Sequence, residues 1–184
     1  MDVQIIVLNG VGSVGKTSTA RALQELTATP FLHVQMDTFI DMMPRAMIGD
    51  RDGLVFETTL NEGHRTVAIK SGPIMDQTLR GMRAAVAAMA AQGNRLIVDD
   101  VILEAADQQD YRRRLSSFEV RFVGLFAPLD ILESRERERG DRALGLARWQ
   151  YERVHAGMVY DLVLDAGAST AAECAAHIKA AFGL

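Results

Sequence analysis

The 184-residue sequence holds one cysteine, four prolines and one tryptophan, and aromatic residues make up only 6% of it. A single cysteine excludes an internal disulfide and a cysteine zinc site. Set in an alanine-rich helical segment, Cys174 reads as a buried structural thiol. No stretch approaches the roughly 20 apolar residues that a membrane-spanning helix needs. No basic region stands ahead of an apolar one near Met1, so no secretory leader is expected. An excess of positive charge is also missing: 20 Lys and Arg face 24 Asp and Glu, a net charge of −4. That balance disfavours nucleic acid as a partner. His33, His64, His155 and His177 share no metal-ligand spacing with one another or with acids, and no catalytic part is assigned to them. These absences suit a reducing cytoplasm with no membrane contact, and they leave a homo-oligomer open.

What is present is an alternation of short apolar runs and longer helical patterns, the mark of a parallel sheet covered on both faces. Strands are expected at 3–8, 31–36, 96–98, 120–126 and 162–164. Helices are expected at 16–26, 75–91, 129–139, 143–155 and 170–181. The run at 3–8 is apolar almost throughout, as a central strand buried on both faces should be. Between the second strand and the long helix, β-prone residues flank Asn61-Glu62-Gly63-His64, which predicts a hairpin inserted over 51–70. Repeats, linkers and composition breaks are lacking, so residues 1–184 are expected to form one α/β domain. A three-layer α/β/α fold around five parallel strands follows.

The octapeptide Gly10-Val11-Gly12-Ser13-Val14-Gly15-Lys16-Thr17 satisfies every fixed position of the phosphate-binding loop G-x-x-x-x-G-K-[ST]. Glycines let the backbone take conformations a Cβ would obstruct. Successive N–H groups and the next helix's positive end then face phosphate oxygens. Lys16 supplies a charge for the β- and γ-phosphates, and the Thr17 hydroxyl a ligand for Mg²⁺. Gly10, Val11, Gly12, Ser13, Val14, Gly15, Lys16, Thr17 and Ser18 form the candidate ATP site. A buried strand before the loop and a helix after it supply the context that the motif requires.

Ligands of open parallel sheets bind beyond the carboxyl ends of the strands, and Asp37, Asp99 and Asp100 all fall there. Asp99 is the candidate metal ligand, and Asp100 could share that task or touch substrate. Asp37 is the candidate base for a substrate hydroxyl, with an N-cap role as the plainer alternative. Arg135, Arg139 and Arg142 share a helical face at i, i+4 and i+7. Next to a phosphate loop they are expected to form a cationic lid over 135–148, broken at Gly140, with Arg139 and Arg142 on the nucleotide. A solvated Glu–Arg helix is the alternative. Phe39 and Met43, in a Met-rich stretch after the second strand, are the candidate acceptor contacts, with the hairpin around Phe56 closing over them.

Taken together, Ile6 to Gly10 with the loop, Met36-Asp37-Thr38-Phe39-Ile40, Met43-Pro44, Leu96 to Val101, Arg139-Gly140-Asp141-Arg142, Val154-His155 and Tyr160-Asp161 resemble the chloramphenicol 3-O-phosphotransferases. These are small P-loop kinases with a shikimate-kinase-like or adenylate-kinase-like core. The resemblance runs nearly end to end and is weakest over 50–70. It implies transfer of a γ-phosphate from ATP, with Mg²⁺, to the antibiotic's primary hydroxyl, and Asp37 as the base. Other acceptors remain open, a metabolite or a sugar nucleotide as in toxin kinases. A nucleotide-dependent switch is the reading from a different class; against it, no Asn-Lys-x-Asp guanine-reading motif is present. The apolar residues after Asp37 suit a nucleotide acceptor poorly.

Overall fold

The computed structural model describes residues 2–61, 63–140 and 143–184. Five strands, β1 (Ile5–Asn9), β2 (Phe31–Gln35), β5 (Arg95–Asp100), β6 (Val120–Phe126) and β7 (Leu162–Asp165), form one sheet in the order β2-β5-β1-β6-β7. Every pairing in it is parallel. All of β1 is buried, because side chains alternate across a sheet that is covered twice. Ile6 and Leu8 pack with Ala20 and Leu23 of α1 (Lys16–Leu26), Leu132 of α5 (Leu129–Arg139) and Ile178 of α7 (Ala171–Phe182). Ile5 and Val7 face the opposite layer, with Met82 and Val86 of α3 (Pro73–Ala91) and Tyr111 of α4 (Ala105–Arg114).

The inserted hairpin is β3 (Leu54–Asn61) and β4 (His64–Ser71), antiparallel, with Leu54 opposite Ser71 and Asn61 opposite His64. A third apolar cluster of Met43, Leu54 and Met75, with Ile40, Ile69 and Leu79 beside it, ties the hairpin to α2 (Met36–Asp41) and α3.

Three elements differ from expectation. Met36 opens α2 rather than ending β2. The helix expected at 143–155 is shorter, α6 (Leu146–Tyr151), because turns follow it through Gly157, whose φ is +70°. Helix α4 was not expected: only Gln108 and Tyr111 are buried along it, and it ends in three arginines, so its apolar stripe is too thin to read.

Candidate active site

The phosphate loop leaves β1 and enters α1 at the carboxyl edge of the sheet. Gly15 takes φ +106°, and Ser13 is the one non-glycine with positive φ among the described residues. A Cβ on Gly10 would stand 2.6 Å from the Leu125 carbonyl oxygen, so the loop packs directly on β6. These constraints turn Ser13, Val14, Gly15, Lys16, Thr17 and Ser18 into one wall of a cavity of about 360 Å³. Lys16 is buried there, its ammonium donating to the Gly10 and Val11 carbonyls at 2.8 and 3.1 Å. The Ser13 hydroxyl is buried without a described partner, the condition of a polar group awaiting a ligand. Gly10, Val11 and Gly12 do not line the cavity: Val11 is core, and the Gly12 N–H donates to Gln150 Oε1 at 2.7 Å. They shape the loop from behind.

At the cavity floor the Thr17 hydroxyl donates to Asp99 Oδ2 at 2.5 Å. The His33 imidazole stands 3.6 Å from the same oxygen, both side chains nearly buried. Burial alone would raise the Asp99 pKa, but His33, Lys16 and Thr17 outweigh it and hold the carboxyl below its ordinary range. A hydroxyl and an ionised carboxylate side by side are oxygen donors of the kind Mg²⁺ takes beside phosphate oxygens. The pair therefore fits that ion.

Asp37 lies in the first turn of α2 and lines the same cavity as the loop. The N-cap position belongs to Gln35, without a side-chain bond, so the plain capping alternative is corrected. Arg135 and Arg139 of α5 line the same cavity, and Arg135 donates to the Ala166 and Val14 carbonyls at 3.0 and 3.4 Å. Glu136 between them turns inward and accepts from the Gly145 and Ala147 amides at 2.8 Å each. Arg142 lies outside the described residues. Ala166, Ser169, Thr170, Ala171 and Cys174 close the far side. Cys174 is buried, and burial pushes its thiol up.

Asp100 is corrected. Its carboxylate accepts from the Tyr111 hydroxyl at 2.8 Å and the Val101 amide at 2.7 Å, and it lines neither cavity. Strand alternation explains it: Asp99 faces the loop, so Asp100 points into the opposite layer. There burial pushes its pKa up.

A second cavity of about 560 Å³ adjoins the first, and Met36 and Val101 line both. Its apolar wall is Ile40, Leu54, Ile69, Met75, Leu79, Leu103 and Trp149. Its polar rim has Arg80, Arg83 and Arg153 against Asp76, Glu104 and Asp107, three charges of each sign. Arg83 is clamped by Asp107 and Asp110 at 3.0 and 2.8 Å. The expected acceptor contacts need correction here too. Phe39 packs on the α3–α4 layer, Met43 is buried between hairpin and α3, and Phe56 is exposed. Met36 and Ile40 of α2 line the cavity, and Phe39 does not.

Sequence reasoning missed His33, Gln150, Trp149 and the arginines of α3. His33 carried one usable signal: β2 alternation places it on the same side as Gln35, which pairs in register with Asp99. The others arrive from distant elements, and no local spacing marks them.

A family model described as chloramphenicol phosphotransferase-like protein matches residues 3–183. A Mycobacterium tuberculosis protein described as a candidate O-phosphotransferase is 29% identical over an alignment of 184 positions that covers 97% of this chain and 82% of the relative. Among solved structures, the APS kinase of Mycobacterium tuberculosis has a TM-score of 0.71 at 14% identity, covering 100% of this chain and 99% of its own. A sugar kinase from Janibacter gives 0.69 at 18%, covering 97% and 93%. The tunicamycin resistance protein of Deinococcus radiodurans gives 0.66 at 21%, covering 99% and 96%. At these identities the structures establish the P-loop kinase fold.

Proposed function

The chain belongs to the chloramphenicol phosphotransferase-like family and is a small-molecule kinase, and from that premise we propose that it moves the γ-phosphate of ATP to a hydroxyl of a small, neutral, amphiphilic acceptor. The supporting observation is the pair of adjoining cavities, one lined by the phosphate loop and Asp37, the other apolar with balanced charge. A volume of that order suits a drug-sized ligand. Three arginines matched by three acids offer no net attraction to an anionic acceptor. Chloramphenicol, with a primary hydroxyl, is the candidate acceptor, and the chain would then inactivate the antibiotic.

In this reading the loop amides, Lys16 and the α1 N-terminus hold the triphosphate. Thr17 and Asp99 would hold Mg²⁺, which would supply neutralisation of phosphate charge there. The acceptor oxygen attacks the γ-phosphorus, its proton passes to the Asp37 carboxylate, and the bond to the β-phosphate oxygen breaks to release ADP. Arg135 and Arg139 stabilise the charge on the moving phosphoryl group. The segment 135–148 acts as a lid and the hairpin as the acceptor's wall within one domain. The test mixes the purified protein with MgATP and chloramphenicol and seeks the 3-O-phosphate by mass spectrometry. Turnover only on another hydroxyl compound would reject the antibiotic and keep the kinase; a sugar nucleotide is the alternative acceptor such a panel includes.

A further inference from the structure

Helix α6 touches several parts of the site at once. Its N-terminal end is held by Glu136, whose helix neighbours Arg135 and Arg139 line the phosphate cavity. The hairpin docks on the same end, the Val67 amide donating to the Gly145 carbonyl at 3.0 Å. A Cβ on Gly145 would lie 2.4 Å from the Arg65 carbonyl oxygen, so this contact is close. Near the other end stands Gln150, 2% exposed, whose Oε1 accepts from the Gly12 amide at 2.7 Å. Gln150 also lines the second cavity beside Trp149.

The bond's polarity is fixed by chemistry: a backbone N–H only donates, so Gln150 must turn its oxygen to Gly12 and its NH₂ group elsewhere. That NH₂ has no partner among the described residues, yet it is not a sealed orphan. A buried amide bond left unmade costs free energy, so a shift of Gly12 carries Gln150 with it or breaks the bond. Trp149 is the preceding residue on a six-residue helix and the only tryptophan in the chain. Its ring carries the Arg153 guanidinium at 4.8 Å.

We propose that Gln150 is a positioning residue that couples nucleotide occupancy of the phosphate loop to the Trp149–Arg153 wall of the acceptor cavity. The coupling rests on the reading of the loop as a nucleotide site. By linkage it is reciprocal: an acceptor seated against that wall tightens the loop for nucleotide by the factor that nucleotide tightens the wall for acceptor.

Trp149 is its own reporter. A non-hydrolysable ATP analogue with Mg²⁺ is titrated into the full chain, with binding followed by calorimetry and Trp149 by its emission. The wild type should bind with a saturable emission change at the same midpoint. Gln150→Leu, compared at saturation, should lose at least fivefold of that change while circular dichroism shows the native fold. Gln150→Glu, which keeps an oxygen for Gly12, should restore it, an outcome a mere packing role would not give. If Gln150→Leu does not fold, Gln150→Met takes its place. Binding by the wild type without an emission change overturns the coupling and leaves the kinase reading standing. An undiminished response in the leucine or methionine variant overturns it as well. Absence of nucleotide binding by the wild type overturns both.

Discussion

The Thr17 hydroxyl donates to Asp99 Oδ2 at 2.5 Å, which joins the last residue of the phosphate motif to an acid one residue before the end of the neighbouring strand. With His33 and Lys16 nearby, the carboxylate stays ionised, the form a divalent ion requires. Asp99→Asn should therefore weaken the apparent affinity for Mg²⁺, raising the half-saturating Mg²⁺ concentration about tenfold or more. A magnesium titration at fixed ATP measures it, and an unchanged midpoint would remove Asp99 from the metal.

Lys16 is buried with its ammonium on two loop carbonyls. Lys16→Ala should lower kcat by about a hundredfold or more, the scale of one lost preorganised electrostatic contact. Circular dichroism should show the fold retained. Unchanged turnover would contradict the assignment of the loop.

Glu136 separates into a structural effect. Both its oxygens accept backbone amides, and a glutamine would present a donor to one of them. Glu136→Gln should cost about 1–3 kcal/mol of stability, the penalty for a buried group left unpaired. Urea unfolding measures it, and a midpoint equal to the wild type would contradict the geometry.

His155 stacks on Phe126 and shares a 2.7 Å hydrogen bond with the Tyr160 hydroxyl. Burial, helped by Lys16, pushes its pKa down to about 4 from the ordinary 6.5. Between those values the unfolded chain binds the proton and the folded chain does not, so this group's contribution is present above pH 6.5 and lost as pH falls to 4. His155→Gln should flatten that part of the thermal-stability profile relative to wild type. An identical slope in both proteins would count against it.

Much of the fold was legible because its signals are local. A doubly buried strand reads as the apolar run of β1, and the phosphate loop carries its own punctuation of glycines. The family resemblance held as well, since the family model spans residues 3–183. The second cavity was not legible. It forms where α2, the hairpin, α3 and α6 meet, and residues up to 117 positions apart line it without any common spacing. Met43 and Phe39 were singled out by composition, yet the α2 residues that line the cavity are Met36 and Ile40. Asp99 and Asp100 are adjacent in sequence, and only strand alternation separates the one at the phosphate loop from the one under Tyr111.

The most direct measurement is single-turnover transfer of labelled γ-phosphate to an accepted hydroxyl compound by wild type and Asp37→Asn, each saturated with MgATP. Asp37 lines the same cavity as the phosphate loop, and removal of a general base typically costs about 10²–10⁴ in rate. The account predicts a loss of that size with nucleotide affinity unchanged. Transfer by Asp37→Asn at the wild-type rate would contradict it.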